Sequence, residues 1–320
     1  MINAPLNRLK KPGFKTGITI ILIINRRTCM KKTIVKSLGI LLIGLSLLLA
    51  GCLQPSDPRL GSAAIGVSDI ERSTEFYTQI MGMSVKYRVT TPQMEKVVLE
   101  FKNSPGSDVV LMHYTDSSAV NYTYNPDKLV FYVQDAYAVA AAISGAGYRI
   151  LAPPAAQPPE LGGVVVGMAF DPDKYLVEIV EDPSLTESYL GAVGIGVSDL
   201  ETSADFYTRI LGMTEQYRLS IPYFMDEIIL QYPYEGGGSA LVLMHYVAPR
   251  NYTDVPVKLG FYVNNVQETV KAIEDEGLEV IISPKRRPRF NPKAYGLAKD
   301  MDGYLIEVKQ SVELKTEKLK

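Results

Sequence analysis

The chain has 320 residues, enough for two domains of ordinary size, and it contains no Trp, two Cys, two His, 20 Tyr and 9 Phe. Nine of its 33 Lys and Arg lie within residues 1–51, which hold no acid, so the remainder carries 24 basic against 35 acidic residues, a formal −11. That balance repels phosphate backbones. With no basic stripe and no Gly-rich phosphate loop, it argues against nucleic acid as a partner and against a P-loop or dinucleotide site.

Residues 1–51 read as a signal region. From Met30 the run MKKTIVKSLGILLIGLSLLLAGC has a basic start, an apolar stretch and small residues before Cys52, the order of a secretory signal over 30–51. Residues 1–29 sit awkwardly before it, and Met30 is the better start codon, so they need not exist in the cell. Leu49-Ala50-Gly51-Cys52 resembles a bacterial lipobox, in which the Cys becomes the lipidated first residue. The expected localisation is the cell envelope, outside the cytoplasm, on the outer membrane where one exists, through a palmitate-bearing lipid on Cys52. The alternative for Ile34 to Ala50 is an uncleaved membrane anchor. With Cys29 upstream and Cys52 lipidated, no thiol remains for a disulfide or a Cys-based metal site.

Residues 52–61 are a polar tether with two prolines. A strand over 63–67 follows, then a helix opened by a capping-box pattern at Ser68 and Glu71 and stopped at Gly82. Its Phe76 and Tyr77, like Phe206 and Tyr207 later, fall on the core stripe. Strands are predicted over 84–90, 96–101 and 108–114, so the first unit is βαβββ. A second unit runs from a strand over 129–133 through a helix over 136–144, closed near Gly147, to strands over 148–151, 163–169 and 175–180. Asn121 and Asn251 sit in Asn-Tyr-Thr triplets, read as repeat-related loop residues rather than glycosylation sites in a bacterial lipoprotein.

The whole plan then recurs. IGVSDIERSTEFYTQIMGM from Ile65 returns as IGVSDLETSADFYTRILGM from Ile195, 130 positions on, and DPDKYLVEIV from Asp171 returns as DMDGYLIEVK from Asp300. Ser198 with Glu201 and Asn265 with Glu268 repeat the capping pattern, and Gly212 and Gly277 repeat the stops. A unit of this length is a domain rather than a solenoid blade. The expected organisation is a domain over 62–181, a linker over 182–190, a second domain over 191–309 and a charged tail over 310–320. Lys174 stands where the second repeat has Gly303, so the first of these turns is expected to be mildly strained.

Paired βαβββ units, the VSD…FY…GM segment and the closing DxD-x-Y-x-x-E segment together resemble the vicinal oxygen chelate superfamily, which includes glyoxalase I, extradiol dioxygenases and bleomycin-resistance proteins. The resemblance covers both domains and implies an α+β fold of four βαβββ units, paired as an internal pseudo-dimer, with a monomeric chain as a consequence. It also implies where a divalent metal would be held. The first ligand position corresponds to Ser62 and Ala192, the second to Leu111 and Leu243, the third to Lys128 and Lys258, and the last to Glu178 and Glu307. Only the final Glu survives in each half, so no catalytic metal is expected. His113 and His245, two residues beyond Leu111 and Leu243, are the fallback ligands with Glu178 and Glu307; their bland alternative is a hydrogen-bonded core or pocket role.

Lys128 with Glu178, and Lys258 with Glu307, read either as acid–base or amine-nucleophile pairs or as salt bridges filling a vacated metal position, and the salt bridge is favoured. Tyr122 and Tyr252 are candidate rim residues of a pocket. The expected function is membrane-anchored binding of a small, partly apolar molecule without a catalytic metal. The rivals are a lactoylglutathione lyase-like or dioxygenase-like enzyme with an altered ligand set, and an envelope interaction or scaffold protein.

Overall fold

The computed structural model describes residues 58–311 apart from 103, 105, 117–119, 123–124, 160–162, 235–237, 254 and 286–293. The signal region, Cys52 and the tail from residue 312 lie outside the described residues. Among those described, no helix is long and apolar enough to cross a membrane.

Four βαβββ units follow one another. The first holds β1 (Arg59–Gly66), α1 (Ile70–Glu75) with a π-helical continuation over Phe76–Ile80, β2 (Ser84–Thr90), β3 (Met94–Glu100) and β4 (Asp108–Tyr114). The second holds β5 (Lys128–Val133), α2 (Ala136–Gly145), β6 (Ile150–Ala156), β7 (Val165–Phe170) and β8 (Leu176–Glu181). The third holds β9 (Tyr189–Gly196), α3 (Leu200–Arg209), β10 (Thr214–Ile221), β11 (Met225–Gln231) and β12 (Ala240–Tyr246). The fourth holds β13 (Val257–Val263), α4 (Val266–Asp275), β14 (Val280–Ile282), β15 (Tyr295–Lys299) and β16 (Leu305–Gln310). The predicted α+β plan is present. In each unit the first strand pairs in parallel with the last.

The sheets do not follow the sequence repeat. One eight-stranded sheet runs β14-β15-β16-β13-β1-β4-β3-β2 and so joins the first unit to the fourth; we call it the terminal sheet. The other, the central sheet, runs β10-β11-β12-β9-β5-β8-β7-β6 and joins the second unit to the third. Antiparallel pairing of β1 with β13, and of β5 with β9, forms the two seams. Each sheet therefore contains strands from both repeats.

What holds the two units of one repeat together is the contact between their helix-covered faces. The Tyr77 hydroxyl donates to Asp171 Oδ2 at 2.8 Å, while the Asp173 and Tyr175 amides donate to Asp171 Oδ1 at 2.9 and 2.8 Å. The second repeat copies this latch with Tyr207, Asp300, Asp302 and Tyr304. Around each latch the apolar faces of both sheets and all four helices merge into one core, in which Phe76, Tyr77, Phe206 and Tyr207 are buried. Each of these three donors meets an oxygen of the central Asp, which offsets part of the cost of burying the polar groups.

Several local expectations shift by a residue or more. The N-caps of the first and third helices are Asp69 and Asp199, not Ser68 and Ser198. Both serines turn instead to the latch, where Ser68 donates to Asp173 through its hydroxyl and amide and the Ser198 amide donates to Asp302. Asn265 does cap its helix, accepting from the Glu268 amide. Gly82 and Gly212 stop their helices at φ +78 and +75, a conformation open to glycine at little cost. Lys174 adopts φ 70 at the turn where Gly303 has φ 89, so the first repeat does carry the expected strain. Arg59 to Gly61, expected in the tether, and Tyr189 and Leu190, expected in the linker, open β1 and β9. Gln310, expected to start a frayed tail, ends β16 and is buried, with its side chain bonded to the Val266 amide and the Asn264 carbonyl.

One buried acid belongs to one repeat alone. Asp127 Oδ1 accepts from the Tyr304 hydroxyl at 2.7 Å and the Gly196 amide at 3.1 Å, tying the first repeat to the second. Burial outweighs these bonds and pushes its carboxyl up to about 7. The sign follows directly: the protonated form favours the fold, and that contribution is lost as the pH rises through about 7.

Candidate functional site: two cups of opposite character

Each sheet curls away from the helices, and the face turned from them is a cup. In the central cup, β5 supplies Lys128, β8 supplies Glu178 and β11 supplies Glu227, all three buried. The Lys128 ammonium donates to Glu227 Oε1 at 2.8 Å and lies 3.1 Å from Glu178 Oε2. Burial pushes the Lys128 amine down, but the two carboxylates outweigh it and hold it above its ordinary value. Burial raises Glu178, Lys128 opposes this and Glu227 reinforces it, so its carboxyl stays above the usual range. One ammonium is shared by two acids, and its better geometry is with Glu227. Neither Glu178 oxygen receives a hydrogen bond from a described residue, so Glu178 is the natural holder of an extra proton.

Around this triad the central cup is filled with carbon. Val130, Met168, Ala192, Ile229, Val242 and Met244 are buried in one cluster, onto which Leu185 and Tyr189 pack from the segment between the repeats. Gly194 lets the lysine lie flat across the floor, because a Cβ there would stand 2.5 Å from Lys128 Cγ. The cup is a plugged structure.

The terminal cup has the same lysine and glutamate in a different setting. Lys258 from β13 meets Glu307 Oε1 at 3.3 Å, and the other oxygen of that carboxylate meets Lys309 at 2.8 Å. Lys96 of β3, opposite Met112, stands where the central cup has Glu227 opposite Met244. Its charge reaches Lys258, and among the described residues it makes no ion pair. The central cup gathers two carboxylates around one ammonium; the terminal cup sets Lys258 and Lys309 on Glu307 with Lys96 near Lys258, while Asp108 and Glu100 at its edge pair with Lys86.

Titration directions follow from this reversal. Burial pushes the Lys258 amine down, Glu307 opposes that, and Lys96 and Lys309 reinforce it, leaving the amine below its ordinary value. Burial alone would raise Glu307, but Lys258 and Lys309 outweigh it and hold its carboxyl below the usual range.

Among the described residues, the apolar cluster is also smaller here. The buried cluster on this face is only Ala64, Val98, Val110 and Met112. Tyr87 and Val89, paired with Val98 and Lys96, are 53% and 41% exposed, whereas Tyr217 and Leu219 of the matching strand pack into the central cluster. Ser62 and Gly260 replace Ala192 and Val130. A Cβ on Gly260 would lie 2.2 Å from Ser62 Oγ, so the glycine makes room for that hydroxyl on the cup floor, where Ser62 is 7% exposed.

The expected second ligand positions prove to lie on the wrong face. Leu111 and Leu243 are buried in the helix-side core, and the cup-facing residues of those strands are Val110, Met112, Val242 and Met244. His113 and His245 share the helix-side parity. Their Nδ1 atoms bond the Val67 and Val197 carbonyls at 3.0 and 2.9 Å, so neither converges with Glu178 or Glu307. Tyr122 and Tyr252 stack beside these histidines, and their hydroxyls accept from the Tyr114 and Tyr246 amides. Tyr252 also packs at the edge of the central cluster.

The donors available do not fit a divalent metal. Protonated lysines offer no lone pair and repel a cation, Ser62 and Ala192 offer a hydroxyl and a methyl, and the carboxylates at these positions, Glu178 with Glu227 and Glu307, already face an ammonium. Among the described residues, no three or more His, Cys, Asp or Glu side chains converge. Sequence reasoning missed Glu227, Lys96 and Lys309. The first two match only after a one-residue difference in the turn before their strands is allowed for.

Comparison with known proteins bears on the fold and the family. The family model described as Glyoxalase/Bleomycin resistance protein/Dioxygenase superfamily matches residues 59–179 and 189–308. A lactoylglutathione lyase of Oryza sativa is 25% identical over 265 residues, spanning 78% of this chain and 88% of that protein. A probable lactoylglutathione lyase of Vibrio cholerae is 28% identical over 131 residues, 40% of this chain and 93% of its own length. In structure, glyoxalase I from Zea mays overlays with a TM-score of 0.67 at 23% identity, covering 80% of this chain and 93% of that one. A putative dioxygenase from Bacillus subtilis overlays with a TM-score of 0.57 at 13% identity, covering 80% and 86%. These overlays reflect the shared fold, and the two matched segments, spanning most of the chain, place it in the Glyoxalase/Bleomycin resistance protein/Dioxygenase superfamily.

Proposed function

We propose that this chain is a small-molecule-binding member of its superfamily that works without a catalytic metal, with the terminal cup as the binding surface and the central cup as a structural plug. The observation that carries it is the divergence of two cups built on one plan. Carbon and a closed ion triad fill one, while the other keeps exposed aromatic and aliphatic side chains beside partly hydrated charges. Pockets that take small molecules combine such apolar walls with a few placed polar groups. The Cys52 lipid anchor expected from the sequence belongs to the same reading and would hold the cup at the envelope surface.

A second reading, a lactoylglutathione lyase-like enzyme, draws on the named activity of the rice and Vibrio relatives. It requires a cation beside Glu307, against the local charge. Elemental analysis after loading with nickel, zinc, iron or manganese separates the two. We expect well under one equivalent of metal, unchanged by His113→Ala, His245→Ala or Glu307→Gln. Near-stoichiometric metal that is lost in Glu307→Gln would overturn the proposal in favour of the lyase.

A further inference from the structure

The charges of the terminal cup narrow the kind of molecule it takes, an inference that rests on reading that cup as the binding surface. Glu307 already spends both carboxylate oxygens on Lys258 and Lys309. Lys96 adds a third ammonium to the same neighbourhood without any ion-pair partner among the described residues. With Lys86 held by Asp108 and Glu100 at the β2 edge, four ammoniums face three carboxylates, and the unpaired Lys96 leaves an excess of one positive charge on a half-buried surface, where solvent screens it less than on an open face. The opposite excess in the central cup is buried out of reach, so this preference belongs to one cup only.

Space and walls fit the charge. Gly260 leaves room for the Ser62 hydroxyl between β1 and β13, on a residue 7% exposed, beside Glu307 Oε2 at 3.3 Å from the Cβ that glycine lacks. Further along the same face, Tyr87 and Val89 offer an apolar shelf over the buried Val98 and Met112, with the Tyr87 ring more than half exposed and Val89 paired with Lys96. A hydroxyl can donate to an anionic oxygen, and ammonium-to-anion bonds are the stronger kind.

We infer that the terminal cup binds a small organic anion, its carboxylate, sulfonate or phosphate end held by Lys96, Lys258 and the Ser62 hydroxyl, and its flat or apolar body lying on Tyr87 and Val89. The anion takes the place that Glu227 holds within the central cup, where Lys96 stands in this one. No covalent step is involved.

Two fluorescent dyes of similar apolar body test this: anilinonaphthalene sulfonate, which is anionic, and phenylnaphthylamine, which is neutral. In titrations of the folded protein the sulfonate is expected to bind one saturable site at least about tenfold more tightly than the neutral dye, a gap of about 1.4 kcal/mol. That gap should shrink as salt is raised. Lys96→Glu, which copies the acid of the central cup, should weaken the sulfonate about tenfold or more and leave the neutral dye within about twofold. Lys309→Gln is the second variant should the first fail to fold. Equal affinity for both dyes, or sulfonate binding indifferent to these substitutions, would overturn the anion inference while leaving the cup a binding surface. Absence of any saturable site for either dye would instead sink the proposed binding function itself.

Discussion

Lys128→Met is expected to destabilise the protein by about 3–5 kcal/mol at neutral pH, the usual consequence of removing one partner from a fully buried ion cluster. Its removal strands Glu178 and Glu227, both buried, with no cation within reach. Lys258→Met is expected to cost under about 1 kcal/mol, because Glu307 keeps Lys309 and some solvent. The pH dependence has a definite sign. Burial and Glu227 already hold the Glu178 carboxyl above its unfolded value, and loss of Lys128 moves it further up. Stability from such a group is fully present below the unfolded pKa and is lost as pH rises through the folded one. The Lys128→Met variant should therefore regain stability on acidification toward pH 5, in urea melts compared with pH 7.5. Adding Glu178→Met and Glu227→Met should restore most of the loss, since apolar groups of similar volume replace buried ion clusters at little cost. Equal losses at Lys128 and Lys258 would contradict the account.

Asp171→Ala is expected to cost about 3–5 kcal/mol, because it leaves three buried donors unpaired, each worth about 1–3 kcal/mol when stranded. Those donors are the Tyr77 hydroxyl and the Asp173 and Tyr175 amides. Asp300→Ala should cost about as much, since Tyr207, Asp302 and Tyr304 repeat the arrangement. Tyr77→Phe removes a single bond and is expected to cost about 1–2 kcal/mol. Chemical denaturation of the four proteins checks the order. A loss below about 1 kcal/mol in Asp171→Ala would show that the latch does not hold the two units of a repeat together.

The latch explains why the sequence reads as two domains while the sheets cross between them. A repeat of roughly 120 residues is a packed body through its helix faces, and its strands add to sheets shared with the other repeat. Periodicity and turn residues reveal βαβββ units, but the partner of β1 lies about 200 residues away in β13 and leaves no local mark. The lysine and glutamate pairs were legible because they stand at aligned points of both repeats.

Strand parity was harder to read for a physical reason. In β4 and β12 the runs VVLM and LVLM are buried on both faces, so alternation, which tells the two sides of a half-exposed strand apart, carries no signal there. Leu111 and His113 were consequently placed one residue out of phase with the cup. The N-caps were misplaced for a different reason: Ser68 and Asp69 are both good caps by chemistry, and only the distant Asp173 decides that the serine is used elsewhere.

The central claim is that one cup is closed around its lysine and the other presents its lysine to ligands. Native-state acylation of lysines by a small reagent, read by peptide mass spectrometry, tests this most directly. Lys258, with a lowered amine pKa and a slightly exposed side chain, should be modified at least about tenfold faster than Lys128, which should react only through global opening. Equal rates at the two lysines, or faster modification of Lys128, would contradict it.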